Sequence, residues 1–172
     1  MGNGRTTEES AIPAVYDTEI VEPLVRVEPR LEIALSATRE NLAPIRETAE
    51  RFLAPEFERR GCRERLPEVL VALQEASSNV VRHAYRDQDE PGSIVVRAEL
   101  LPTLLRLTVL DEGPGYDPAG VAPPDPVHPR DGGYGLHLIR AIMPRVVYSR
   151  RGGRNSLLME APLRASEGER LA

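Results

Sequence analysis

Lysine and tryptophan are absent from this chain, cysteine occurs once, and aromatic residues make up only 4% of it. Each shortage excludes something. The lone cysteine, Cys62, cannot close an internal disulfide and offers neither a CxxC pair nor a zinc-ligand spacing. With so few rings, aliphatic side chains must fill the core. The 41% hydrophobic content is enough for one domain in 172 residues. No run of about 18 apolar residues exists, so no membrane span is expected. The N-terminus also lacks the apolar stretch of a signal peptide, and a cytoplasmic location fits. A net charge of −5 argues against direct nucleic-acid binding, which would call for a basic face. All 22 basic residues are arginine, a bias expected of a GC-rich bacterial genome.

What is present divides into a middle and two ends. Residues 1–28 are rich in Glu, Thr and Pro with little periodicity and read as a flexible tail. Residues 164–172 read as a polar C-terminal tail, leaving 29–163 as the domain. Residues 31–36 alternate like a strand. Ser36 or Thr38 could cap a helix through Leu42, Ile45, Ala49, Phe52 and Leu53, and Pro55 and Gly61 punctuate the stretch after it. A second helix is expected from about Pro67 to about Tyr85, with a stripe of Leu66, Val69, Leu70, Leu73, Ala76, Val80 and Ala84. Residues 93–100 and 104–110 read as strands joined at Pro102 and Thr103. Residues 112–133 carry six prolines and exclude regular structure. A short helix over 136–143 and a hairpin turned by Gly152 and Gly153 complete the pattern.

Three groups could carry chemistry. Glu75 and Asn79 lie four apart and share a helix face. One is an anionic acceptor, and the other offers an amide oxygen suited to a hard cation such as Mg²⁺. Alone, the pair reads first as a solvated polar face. Asp111, Gly113 and Gly115 follow a strand directly. The carboxylate can accept from an amino group and the glycines permit close approach, although Asp, Gly and Pro also make plain turns. Arg130, Gly133 and Gly135 lead into a helix, where backbone N–H groups favour an anion. A flexible loop would look the same. The third group is not a Walker A loop, since no GKS or GKT is present after it.

Their order is more specific than any one of them. E-A-x-x-N on a helix, D-x-G-x-G after a strand pair, a proline-rich segment and then G-x-G-L resemble the N, G1 and G2 boxes of the GHKL ATPases. Within that superfamily the runs EASSNVVRHAY, DEGPGYDP and GGYGLHLIRAIMPRV look most like the bacterial anti-sigma-factor serine/threonine kinases of partner-switching systems. The resemblance covers about residues 31–163.

It implies a two-layer α/β sandwich of the Bergerat type, with a mixed, mainly antiparallel sheet and helices on one face. It also implies ATP and Mg²⁺ as cofactors. Asn79 would bind Mg²⁺, and Glu75 would be the general base. Asp111 would meet the adenine amine, with Gly113 and Gly115 shaping its pocket. Gly133 and Gly135 would cradle phosphates under a lid of about residues 116–132, with Arg130 near the γ-phosphate. Arg82 and His83 would edge the pocket. Family members often carry a Gly-Thr near the final hairpin, whose hydroxyl lines the nucleotide site. Here the chain reads Gly153-Arg154-Asn155-Ser156, and either Asn155 or Ser156 is the substitute, or the contact is lost.

The implied partners are an anti-sigma-factor antagonist protein, phosphorylated on Ser or Thr, and a sigma factor, with room for a homodimer. The alternative is a non-catalytic ATP-binding module that sequesters a sigma factor. Glu75 favours the kinase, because a pure binder needs no base there. A sensor histidine kinase fragment ranks below both, for want of a preceding phosphoacceptor-helix pattern. The larger chaperone and topoisomerase relatives would need a following transducer domain.

Overall fold

The structure, a computed structural model, describes residues 29–86, 90–115 and 134–163. The expected tails over 1–28 and 164–172, and the expected lid over 116–132, lie outside the described residues. The described elements run β1 (Arg30–Ser36), α1 (Leu42–Arg59), α2 (Leu66–Asn79), β2 (Ser93–Leu100), β3 (Leu104–Asp111), α3 (Tyr134–Ile142), β4 (Arg145–Arg151) and β5 (Arg154–Pro162).

The strands form one sheet in the order β1-β2-β3-β5-β4. The expected antiparallel character holds at all four pairings. Short connections at 101–103 and at Gly152-Gly153 return the chain beside itself. Both of those hairpin glycines have positive φ, as a two-residue type I′ turn requires.

Period-two alternation decides which face the helices cover. Ile94, Val96, Ala98 and Leu100 of β2 point inward, as do Leu105, Leu107 and Val109 of β3 and Leu157, Met159 and Ala161 of β5. They meet Ile45, Ala49, Leu53 and Phe57 of α1, Leu70, Leu73 and Ala76 of α2, and Ile139 of α3 in one core. The α2 stripe is buried as far as Val80, as its spacing predicts.

Three local expectations change. Neither Ser36 nor Thr38 caps α1. The residue before the helix is Asn41, and its Nδ2 donates to the Ser36 carbonyl at 2.8 Å, tying the end of β1 to the helix start. Pro55 does not end α1. It costs the helix one N–H, yet buried Leu53 and Phe57 on either side hold the last turns to the core. After Asn79 the second helix continues as a π-helix over Val80–Ala84. That widening leaves Ala84 only half-buried, where a regular stripe would have buried it.

The opposite face of the sheet is mixed, with arginines and glutamates beside Val95, Leu110, Val147 and Leu158. Glu160 on β5 is nevertheless 7% exposed, because Arg106 and Arg145 close over it at 2.7 and 2.6 Å. The hydrogen bonds from Arg145 and Arg106 hold its carboxyl below the usual carboxylate range.

Candidate functional site

The predicted site residues that the structure describes fall into two clusters. The first lies where α3 packs on α2. Glu75 and Asn79 sit half-buried, one turn apart on α2. The first turn of α3 arrives directly over them. A Cβ built on Gly135 would fall 2.8 Å from Glu75 Oε2 and 3.3 Å from Asn79 Oδ1. Any side chain at 135 would therefore fill the space in front of the carboxylate and the amide. The helix spacing that set this pair on one face and the glycine that leads α3 are brought together only by the packing of the two helices.

Arg82, on the π-helix, places Nη2 3.7 Å from Glu75 Oε2. Its Nε also donates to Ser78 Oγ at 3.0 Å. The two charged side chains are 45% and 29% exposed, so the ion pair is solvated and weak. Beside Arg82, desolvation of His83 and the guanidinium groups of Arg86 and Arg82 hold its imidazole below the ordinary range. The π-helix forms the C-terminal end of this helical segment and begins on the residue after Asn79.

The second cluster is at the end of β3. Asp111 is the last residue of the strand and pairs across the sheet with Asn155. Its Oδ1 accepts from the Gly113 backbone N–H at 2.9 Å and from Asn155 Nδ2 at 2.7 Å. Both bonds use the same oxygen. Asn155 Nδ2 also donates to the Gly113 carbonyl at 3.1 Å. Gly113 is buried, and a Cβ there would lie 2.4 Å from the Ala84 carbonyl oxygen. Gly115 has φ +80, and a Cβ there would lie 2.7 Å from the Tyr148 hydroxyl and 2.8 Å from Asn155 Oδ1. A non-glycine residue would be strained in backbone and crowded in space.

Tyr148 and Arg150 escaped the sequence reading, and Tyr85 entered it only as the end of the second helix and of the EASSNVVRHAY run, without a role. Tyr148 donates its hydroxyl to Asn155 Oδ1 at 2.9 Å, and Arg150 Nη1 donates to the same oxygen at 2.7 Å and to the Gly113 carbonyl at 2.5 Å. Tyr85 accepts from the Glu112 backbone N–H at 2.9 Å and donates to the Ser93 carbonyl at 2.7 Å, tying the π-helix to both strands. No motif flags Tyr148 or Arg150. Their alternation with Val146 on β4 is the signal that they point toward the helix side. Of the substitutes for the Gly-Thr contact, Asn155 and not Ser156 is the one turned inward and buried. Arg130 and Gly133 lie outside the described residues. Among the described residues, no helix is long and apolar enough to cross a membrane, and no cluster of three or more His, Cys, Asp or Glu could hold a metal ion.

Comparison with known proteins adds a family. The histidine kinase-like ATPase domain matches residues 35–161. The serine-protein kinase RsbW of Staphylococcus aureus strain MRSA252 is 28% identical over 132 residues, covering 72% of this chain and 80% of that protein. The same protein from strain Newman matches to the same extent. A crystal structure of the RsbU and RsbW domains of a Mycobacterium tuberculosis protein shares the fold, with a TM-score of 0.52 and 21% identity. That match covers 77% of this chain and 32% of the longer one, so this chain spans about a third of that protein.

Proposed function

This chain belongs to the histidine kinase-like ATPase domain family, and from that premise we propose that it is an ATP-dependent serine/threonine-protein kinase acting on an anti-sigma-factor antagonist. The observation that carries the reading is the convergence at the α2–α3 contact. A carboxylate and an amide oxygen share one face of α2, and a glycine at the head of α3 leaves the space before them clear. The 28% identity to serine-protein kinases supports the reaction class.

The residues fit an adenine nucleotide and a hard cation. Asp111 engages only Oδ1 with Gly113 and Asn155, so Oδ2 can accept from the adenine amine. The Asn79 amide oxygen is a neutral ligand of the kind Mg²⁺ takes alongside phosphate and water. Gly135, with Gly133 and Arg130 before it in sequence, suits the phosphates at the head of α3. Bound Mg·ATP supplies the phosphoryl group and the cation that offsets its charge. Glu75 would take the proton from the partner hydroxyl as that oxygen bonds to the γ-phosphorus and the bond from the phosphorus to the ADP oxygen breaks, with ADP leaving. Positioning and charge stabilisation do the rest of the work. The partner's new phosphate brings close to two negative charges into the contact, and the partner is released from this acidic chain. The freed kinase then binds its sigma factor.

Glu75→Gln tests the reading. An amide cannot take the proton, so the variant should bind Mg·ATP and antagonist but leave the antagonist unlabelled by radioactive ATP, with wild type labelling a Ser or Thr. Labelling at the wild-type rate by the variant removes Glu75 from the base role. A wild type that binds ATP and labels nothing instead identifies a sequestering module.

A further inference from the structure

The buried amide of Asn155 is the best-connected polar side chain among the described residues, and the sequence offers it only as one of two substitutes for a nucleotide-lining hydroxyl. Its residue is 2% exposed and belongs to β5, directly across from Asp111. It makes four hydrogen bonds, which is all it can make. Nδ2 donates to Asp111 Oδ1 and to the Gly113 carbonyl. Oδ1 accepts from the Tyr148 hydroxyl and from Arg150 Nη1. The amide has no freedom to turn over. Arg150 can only donate and the Gly113 carbonyl can only accept, so a reversed amide would set donor against donor and acceptor against acceptor.

We propose that Asn155 is the positioning residue of the adenine site: clamped by Tyr148 and Arg150, it fixes the Asp111 carboxylate so that Oδ2 alone is presented to the base. With every donor and acceptor of Asn155 engaged inside the protein, the amide has nothing left for a ligand. Direct recognition rests on Asp111. The clamp also holds the Gly113 carbonyl, which Arg150 and Asn155 share, so the carboxylate and the glycine turn move as one unit. This role for Asn155 rests on the proposed contact between Asp111 and adenine.

Asn155→Asp is the informative variant because it keeps the shape and inverts the role. The introduced carboxylate still accepts from Tyr148 and Arg150 but can no longer donate to Asp111. Two carboxylates at hydrogen-bond distance share a proton, and one of them titrates well above its usual range. The other charged and titratable groups near the pair are Tyr148 and Arg150 of β4, Glu112 in its ion pair with Arg154, and Tyr85 at the end of the π-helix. All of these are unchanged by the substitution.

The measurement is calorimetric affinity for a non-hydrolysable ATP analogue from pH 5.5 to 8.5, taken as the ratio of variant to wild type so that the titration of the nucleotide cancels. It is paired with an NMR titration of the Asp111 carboxyl in nucleotide-free protein. The variant should bind on the order of tenfold more weakly or worse at pH 8.5, the scale of one lost charge-assisted hydrogen bond. It should recover toward wild type at pH 5.5 as the shared proton restores the contact, and the Asp111 carboxyl should titrate at higher pH than in wild type. A merely structural defect would lower affinity at every pH alike and leave that carboxyl where it was. Such a flat loss, or a variant that binds like wild type throughout, overturns the role of Asn155. Failure of the wild type itself to bind the analogue overturns the adenine assignment instead, and the nucleotide-free titration still reports on the clamp.

Discussion

At the residue scale, Asp111 has two unequal oxygens. Oδ1 must accept from two donors inside the protein, and Oδ2 has no such duty toward Gly113 or Asn155. In Asp111→Asn the amide oxygen will keep the Oδ1 place, because the two donors there tolerate nothing else. The new NH₂ then stands where Oδ2 stood and, in the proposed adenine site, would face the adenine amine donor to donor. The fold should therefore persist with an unchanged melting temperature while ATP affinity falls about 10- to 100-fold, the worth of a charged hydrogen bond. Calorimetry and a thermal melt check both halves, and unchanged affinity would take Asp111 out of the site. Asp111 and its glycines stood out in the sequence because a carboxylate, two glycines and a strand end coincide. Asn155 could only be named beside Ser156, since one residue of register turns a β side chain to the opposite face.

Among the α-helices, α3 does most to assemble the site and is the shortest of the three described. It is nine residues long, too short to be stable alone, and packs against α2 with Ile139 in the shared core. Gly135 occupies its first turn, so the grip of Ile139 sets how closely that turn approaches Glu75 and Asn79. Ile139→Ala should cost about 2–5 kcal/mol of stability through the cavity it leaves. It should also weaken Mg·ATP binding, since Ile139 lies one turn after Gly135 on the same face of α3. Denaturant unfolding with calorimetry reads both. Loss of stability with full affinity would mean that α3 is seated by something other than its core contacts. The periodicity of α2 was plain in the sequence, whereas its change to a π-helix after Asn79 was not. That change is accompanied by the Tyr85 hydroxyl bridging Ser93, eight residues on, and Glu112, 27 residues on.

For the whole molecule, the open face of the sheet holds an ion-pair network across four strands. Glu160 of β5 accepts from Arg145 of β4 and Arg106 of β3, which also lies 3.7 Å from Glu99 of β2. The folded carboxyl of Glu160 titrates below its ordinary value of 4.5. The unfolded chain thus binds the proton first as pH falls. Stability from this group is fully present above about pH 4.5 and is lost as pH drops through the folded value. Glu160→Gln should be less stable than wild type by about 1–2 kcal/mol at pH 7, discounted for the exposure of the two arginines. The gap should close below about pH 4.5. Melting temperatures of both proteins from pH 7 to pH 3 test this, and a gap that stays constant would assign the loss to packing.

Local pattern alone places the α/β order, the helix-facing stripes and the positions of Glu75, Asn79, Asp111, Gly113 and Gly135 along their elements. These come from local periodicity, turn chemistry and residue type, all of which act over a few neighbouring positions. Tertiary structure alone decided the pairing of β5 between β3 and β4, which sets Asn155 opposite Asp111. It alone decided the approach of Gly135 to the α2 pair and the clamp of Tyr148 and Arg150 on one amide. Contacts between residues far apart in the chain, such as Asp111 with Asn155 and Gly113 with Arg150, leave no local pattern to read, because the sheet register and the seating of the helices create them.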